Sequence, residues 1–283
     1  MSNQAQIAVS YDVSNDFFSL WLDKRMNYSC GLFLNPDDNL DDAQVNKLQF
    51  FYEKTRLTRD SRVIDIGCGW GGVLGYLTRD KGLRDVVGIT LSRAQYDYLS
   101  QQDFPGAEVA CINYEDYQPD RPFDAAISIG MFEHLASPEQ ARSGESVEIY
   151  RNYFRKVWSW TKSDSLFGLQ TVIGGRIPRR GAALRELAWA TYAIFPGAIS
   201  PRLEVIAAAV SPHWEILEVH TRREHYRDTS QAWLDRLIAN RDRVVAESSE
   251  ALFDDYRRYL SACVRSFDEG YQSLAQLVLR RIQ

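Results

Sequence analysis

Val63-Ile64-Asp65-Ile66-Gly67-Cys68-Gly69-Trp70-Gly71-Gly72 is the stretch that decides the fold. A short apolar, β-branched run meets four glycines within six residues, and a helical pattern follows from Val73 to Asp80. Glycine suits a sharp strand-to-helix turn because it tolerates positive φ and lets a ligand approach bare backbone. The free amides at the helix start then offer partial positive charge to an anionic group. The stretch reads as a turn that holds a nucleotide-like ligand.

Downstream, strand and helix patterns alternate. Strands are predicted at 62–66, 85–90, 107–112, 123–129 and 165–172, and helices at 73–80, 92–101 and 147–160. The strands are near-continuous apolar runs, as expected when helices cover both faces of a parallel sheet. Upstream, residues 11–23 place Phe17, Leu20 and Trp21 at helical spacing, and a turn-rich loop at 35–39 precedes a helix over 42–56. The alternation breaks after Gly174. Residues 175–212 hold the basic turn Arg176-Ile177-Pro178-Arg179-Arg180 and two apolar helical stretches around Phe195-Pro196-Gly197, which suits an insertion laid over the strand ends. A strand at 214–220, helices at 230–246 and 249–267 and a final apolar run at 272–279 complete the pattern.

Composition limits the function classes. The chain has 283 residues, 45% hydrophobic and 25% charged, with a net charge of −5 and no basic tail. That balance suits a soluble globular protein and does not suggest bulk nucleic-acid binding. No apolar stretch approaches the ~20 residues needed to cross a bilayer, and no secretion signal is visible at Met1–Ile7, so the expected location is cytoplasmic. Cys30, Cys68, Cys111 and Cys263 lie far apart, which fits reduced thiols, and no His/Cys/Asp cluster has metal-ligand spacing.

Gly67-x-Gly69-x-x-Gly72 satisfies the dinucleotide fingerprint, but the expected acid at the end of the second strand is missing. That strand ends Ile89-Thr90-Leu91-Ser92, and Asp85 stands before it, at the wrong end. Asn113-Tyr114-Glu115, after the third strand, supplies polar and aromatic groups where a purine could rest.

Several motifs together resemble one family. Tyr28-Ser29-Cys30-Gly31-Leu32-Phe33, the glycine loop from Asp65, Gly88-Ile89-Thr90-Leu91-Ser92-Arg93-Ala94-Gln95 and Ser128-Ile129-Gly130-Met131-Phe132-Glu133-His134 stand in order and at matching spacing. Tyr11-Asp12 at the start, Phe195-Pro196-Gly197 and His225-Tyr226 add to the likeness. The set is similar to the cyclopropane-fatty-acid synthase and mycolic acid methyltransferase family and covers nearly the whole chain. The resemblance implies a class I, Rossmann-like methyltransferase fold: seven strands, mostly parallel, with the last antiparallel. It also implies one methyltransferase domain over 1–283, with an N-terminal helical cap (1–58) and a helical substrate lid (175–212).

By the same resemblance, Tyr28, Ser29, Gly67 and Gly69 would hold the methionine end of S-adenosylmethionine. Thr90, Leu91 and Gln95 would face its ribose and adenine, and Tyr114 and Glu115 would close over the base. Read without the family, Leu91 and Gln95 are simply a helix start. The family's second feature is a small anion, read as bicarbonate, that removes a proton after methyl transfer. Its matching positions here are Cys30, Glu133 and Tyr226, with the backbone at Val172, while the family's histidine is Gln170. Glutamine can donate a hydrogen bond but cannot relay a proton near neutral pH.

Leu184, Leu187, Ala188, Thr191, Tyr192 and Phe195 can share one helical face, either a core face or the wall of an acyl or terpenoid tunnel, with Arg185 making it less greasy. Arg176, Arg179 and Arg180 could meet a carrier protein. The expected activity is carbon methylation, with cyclopropanation one version, of a hydrophobic lipid, metabolite or carrier-bound substrate. Nitrogen methylation of a hydrophobic amine and a non-catalytic cofactor-binding role are the alternatives.

Overall fold

The computed structural model describes residues 13–176 and 181–283, without the side chains of Ala182, Ala183 and Thr191. Tyr11, Asp12, Arg179 and Arg180 therefore lie outside the described residues, as does the side chain of Thr191.

Seven strands form one sheet: β1 (Val63–Ile66), β2 (Val86–Thr90), β3 (Ala107–Cys111), β4 (Phe123–Ile129), β5 (Thr161–Gly174), β6 (Trp214–Thr221) and β7 (Gln272–Arg281). Their order is β3-β2-β1-β4-β5-β7-β6. β1 pairs in parallel with β2 and β4, β2 with β3 and β4 with β5, while β7 runs antiparallel to both β5 and β6. This is the expected mixed sheet with its last strand reversed. The strand ends after β1, β2 and β4 lie together, so Gly67, Thr90 and Gly130 open onto one crevice, where open α/β sheets bind ligands.

The helices are α1 (Asn15–Ser19), α2 (Leu40–Lys54), α3 (Gly72–Gly75, continuing as a π-helical turn over Tyr76–Asp80), α4 (Arg93–Leu99), α5 (Pro138–Ser143), α6 (Ser146–Trp160), α7 (Ala182–Ala193), α8 (Leu203–Val210), α9 (Arg223–Ala239), α10 (Arg241–Glu247) and α11 (Glu250–Asp268). One face of the sheet packs against α6 and α8 through Tyr153, Phe154, Phe167 and Ile206. The other packs against α2, α3 and α4 through Phe51, Leu74 and Leu99. A third cluster joins α1 to α9 and α11 through Phe17, Trp21, Trp233 and Tyr256. Among the described residues no helix is long and apolar enough to cross a membrane.

Three expectations need correction. The first helix stops at Ser19 rather than running to residue 23, because the Asp23 carboxylate accepts the Arg25 and Asn27 N–H groups and draws the chain into a turn. The helix predicted over 230–246 begins earlier, at Arg223, so that Tyr226 sits in the first turn of α9, and Asn240 separates that helix from α10. The helix over 138–143 was not expected at all, although Ser137 and Gln140 form a capping box around Pro138.

Phe154 is fully buried and packs against Phe132, Tyr153 and Phe167. Phe154→Ala is expected to cost about 3–5 kcal/mol of folding stability, read from the denaturant midpoint.

Candidate active site

The turn after β1 is held against β2 by the Gly67 and Cys68 N–H groups, which both donate to the Ile89 carbonyl at 2.9 and 3.0 Å. Gly67 and Gly69 both have positive φ, 81° and 55°. They serve different ends. A Cβ on Gly67 would lie 2.7 Å from Met131 Cβ, so that glycine allows close packing under the cleft. A Cβ on Gly69 would meet nothing within 4 Å, so its backbone stands open to a ligand.

This cleft is lined by Tyr28, Ser29, Gly67, Gly69, Thr90, Leu91, Gln95 and Tyr114, eight of the nine residues expected to hold the cofactor. The Thr90 hydroxyl donates to Gln95 Oε1 at 2.9 Å, and Ser92 caps α4 by accepting the Gln95 N–H. Gln95 is thus both a helix-start residue and part of the cleft wall. Tyr114 is buried edge-on against Tyr153, 5.2 Å between centroids. Glu115 is the exception: it is exposed and lies outside the lining. An Asx turn, in which Asn113 Oδ1 accepts the Glu115 N–H, accompanies its outward placement.

Sequence reasoning missed the polar floor of the cleft. Lys47 on α2 is fully buried, with Nζ donating to Ser29 Oγ at 2.8 Å and Asn27 Oδ1 at 3.3 Å. Asn27 in turn donates its backbone and side-chain N–H groups to Asp23. Burial lowers the Lys47 ammonium to about 8 against the attraction of Asp23, Cys30 and Asp65. Asp65 is 1% exposed, lines the same cleft and has an Oδ2 without a hydrogen-bond partner among the described residues. A lysine in register with Gln44, Leu48 and Phe51 on the buried stripe of α2 was the available signal.

An orphaned carboxylate oxygen beside an open glycine backbone fits a ligand with an ammonium group and a nucleoside, as S-adenosylmethionine has. Tyr28, Gly130 and His134 also line a second cavity of about 440 Å³, so the two spaces share a wall. The second is bounded by Leu184, Leu187, Ala188 and Tyr192 of α7, by Phe195, and by aromatic residues of α9 and α11. Arg185, expected on the inner face, is exposed and does not line it. The α7 segment is tied to α11 by a bidentate Glu186–Arg258 pair, with Arg258 4.0 Å over the Trp189 ring.

Of the four residues expected at the reacting centre, two line this cavity: Glu133 and Tyr226. Tyr226 stacks on Phe267 at 4.3 Å. Glu133 Oε1 accepts the Val172 N–H at 2.6 Å, while Oε2 is buried without a hydrogen-bond partner among the described residues. Burial pushes this carboxyl up to about 7 against the Val172 bond. Cys30 and Gln170 do not line the cavity. Cys30 is fully buried, its thiol donates to the Gly31 carbonyl at 3.1 Å, and burial pushes that thiol up. Gln170 Nε2 donates to the Cys30 carbonyl at 3.3 Å, and its Oε1 accepts Gln276 Nε2 at 2.8 Å. Both amide ends are therefore engaged within the protein. Two bonds tie the Tyr28–Phe33 loop to α9: Gly31 N–H donates to Thr229 Oγ1 and Phe33 N–H to His225 Nδ1.

Asp65, like Glu133, is raised to about 7 by burial. The folded chain keeps this proton through the interval in which an unfolded aspartate, with a pKa of about 4, has released it. The folded state thus binds more protons there, and this residue's contribution to stability falls as pH rises from about 4 toward 7. The stability of the wild type minus that of Asp65→Asn should decline across that window in denaturation measured as a function of pH.

The mycolic acid cyclopropane synthetase family model matches residues 1–277. Cyclopropane mycolic acid synthase 2 of Mycobacterium tuberculosis is 32% identical over 286 residues, covering 95% of this chain and 92% of that one. The structure of the cyclopropane synthase MmaA2 from Mycobacterium tuberculosis superposes with a TM-score of 0.89 at 26% identity, over 98% of both chains. Mycolic acid cyclopropane synthase CmaA1, complexed with SAH and CTAB, gives 0.87 at 28% identity, again over 98% of both. With the class I methyltransferase sheet and its two adjoining cavities, these matches mean that the chain belongs to the mycolic acid cyclopropane synthetase family, as an S-adenosylmethionine-dependent enzyme.

Proposed function

We propose that the enzyme methylates an alkene carbon of a hydrophobic, lipid-like substrate and closes a cyclopropane ring, with Glu133 as the base. The observation that carries this reading is the placement of Glu133. Its buried Oε2, without a hydrogen-bond partner among the described residues, belongs to a residue lining the larger cavity, beside Gly130 and His134, which line both spaces.

S-adenosylmethionine supplies an electrophilic methyl group. Tyr28, Ser29, Gly67 and Gly69 would hold its methionine end and Thr90, Leu91, Gln95 and Tyr114 its nucleoside. Asp65, through its orphaned oxygen, would receive the ammonium group. The chain's tasks are then to align the alkene, exclude water and stabilise charge. When the alkene π pair forms the new carbon–carbon bond, the methyl–sulfur bond would break with its electron pair left on sulfur, and the neighbouring alkene carbon would become cationic. The faces of Tyr28, Tyr226, Trp233 and Phe195, all in the cavity wall, suit a cation in an apolar site. Glu133 takes one proton from the added methyl group, and the freed C–H pair closes the ring.

Bicarbonate fits the residues poorly. The Val172 N–H is donated to Glu133, and Gln170 is engaged with Cys30 and Gln276. Glu133 itself, with a carboxyl raised to about 7, has the proton affinity suited to a base near neutral pH. In this reading Cys30 and Gln170 set the wall behind the reacting centre rather than touching substrate. We further propose that residues 175–212 form the substrate lid and that the N-terminal helices cap the cofactor, supported by the α7 residues in the cavity wall.

With cofactor carrying a trideuterated methyl group and a panel of lipid alkenes, the product should retain two deuterons. Retention of all three would mean simple methylation, and no label transfer to any alkene would overturn the proposal. Glu133→Gln keeps an acceptor for Val172 and should lower turnover by about 10²–10⁴-fold with cofactor binding retained. Wild-type turnover should rise with pH through about 7 as Glu133 loses its proton.

A further inference from the structure

Two donors on one face of α9 have no partner among the described residues, in a cavity wall made largely of apolar and aromatic side chains. Ser230 and Trp233, three residues apart and so neighbours on the helix surface, both line the large cavity. Ser230 is 0% exposed and Trp233 1%, and neither Ser230 Oγ nor Trp233 Nε1 has a hydrogen-bond partner among the described residues. The adjacent hydroxyl shows the contrast: Thr229 Oγ1 donates to the His225 carbonyl at 2.7 Å and accepts the Gly31 N–H at 3.0 Å. Other indoles are likewise satisfied, Trp70 by Asn15, Trp158 by Ile282 and Trp214 by Phe154. Trp21 and Trp160 also have unpartnered N–H groups, but neither lines the cavity.

A buried hydroxyl or indole N–H without an acceptor is costly, and native proteins rarely leave one unmade. Two such donors on one helical face beside the Tyr226 ring call for a ligand atom that accepts from them. The described lining of this cavity contains no lysine or arginine, which argues against a carboxylate or phosphate there. A neutral oxygen fits.

We infer that Ser230 and Trp233 form a hydrogen-bonding subsite for a neutral acceptor oxygen (hydroxyl, ether or carbonyl) within the hydrocarbon substrate. The substrate is then an oxygenated hydrophobic molecule rather than a plain alkyl chain at this point. The inference rests on reading the cavity as the substrate site, but its test needs no turnover.

The probes are geraniol and its deoxy counterpart 2,6-dimethylocta-2,6-diene, titrated calorimetrically into the full chain saturated with S-adenosylhomocysteine. Wild type, Ser230→Ala and Trp233→Phe are compared as a cycle, since the ratio of the two dissociation constants cancels changes in cavity shape common to both probes. Each substitution should shift that ratio about tenfold toward the hydrocarbon. A ratio unchanged in both variants overturns the inference: the donors would then be satisfied by water or by neighbouring rings. That outcome would leave label transfer to alkenes, and hence the proposed reaction, untouched.

Discussion

The buried ammonium of Lys47 is the interaction on which the site depends. It reaches from α2 to Ser29 and Asn27, and Asn27 is held in turn by Asp23. These bonds fix an irregular segment against helix α2, with Asp65 of β1 on the same cleft. A charged group is rarely buried without partners, because taking it from water costs several kcal/mol. Here its partners Asn27 and Ser29 line the cleft. Removing Lys47 would leave Asp65 and Asp23 as buried acids without their counter-charge, so the network is both scaffold and electrostatic balance.

The second organising constraint is the shared wall of Tyr28, Gly130 and His134. It puts a polar nucleoside-sized cleft against a space bounded by aromatic rings. Burial lowers His134 to about 4, so it adds no positive charge at neutral pH where a cation would form. Glu133, next to His134 in the chain, lines the larger space and is held by a backbone bond from β5. Among the described lining residues Glu133 is the only carboxylate, in a wall made largely of apolar and aromatic side chains.

Much of this was legible in the residues. The β1 stretch, the alternation after it and the glycine turn follow from apolar runs and glycine chemistry, which act locally. Eight of the nine positions that motif resemblance named for the cofactor line one cleft. What could not be read was side-chain direction set by tertiary contacts. Glu115 sits beside Tyr114 in sequence, yet the Asx turn at Asn113 leaves it exposed. Gln170 reads as a degraded proton relay until Gln276, far along the chain on β7, is seen to occupy its oxygen. Lys47 drew no notice in the sequence, because only the fold shows that its face of α2 is enclosed. Ser230 drew no notice, since an isolated serine on a helix has many uses and only its lack of a partner marks it.

The two hydrogen bonds from Gly31 and Phe33 to α9 have a thermodynamic consequence. They join a loop that lines the glycine-turn cleft to a helix that lines the large cavity, so whatever binds in either space meets part of one mechanical unit. To the extent that either ligand stiffens this unit, the second ligand meets a body whose ordering has already been completed. Linkage then requires symmetry: whatever factor the cofactor contributes to substrate affinity, the substrate returns to the cofactor.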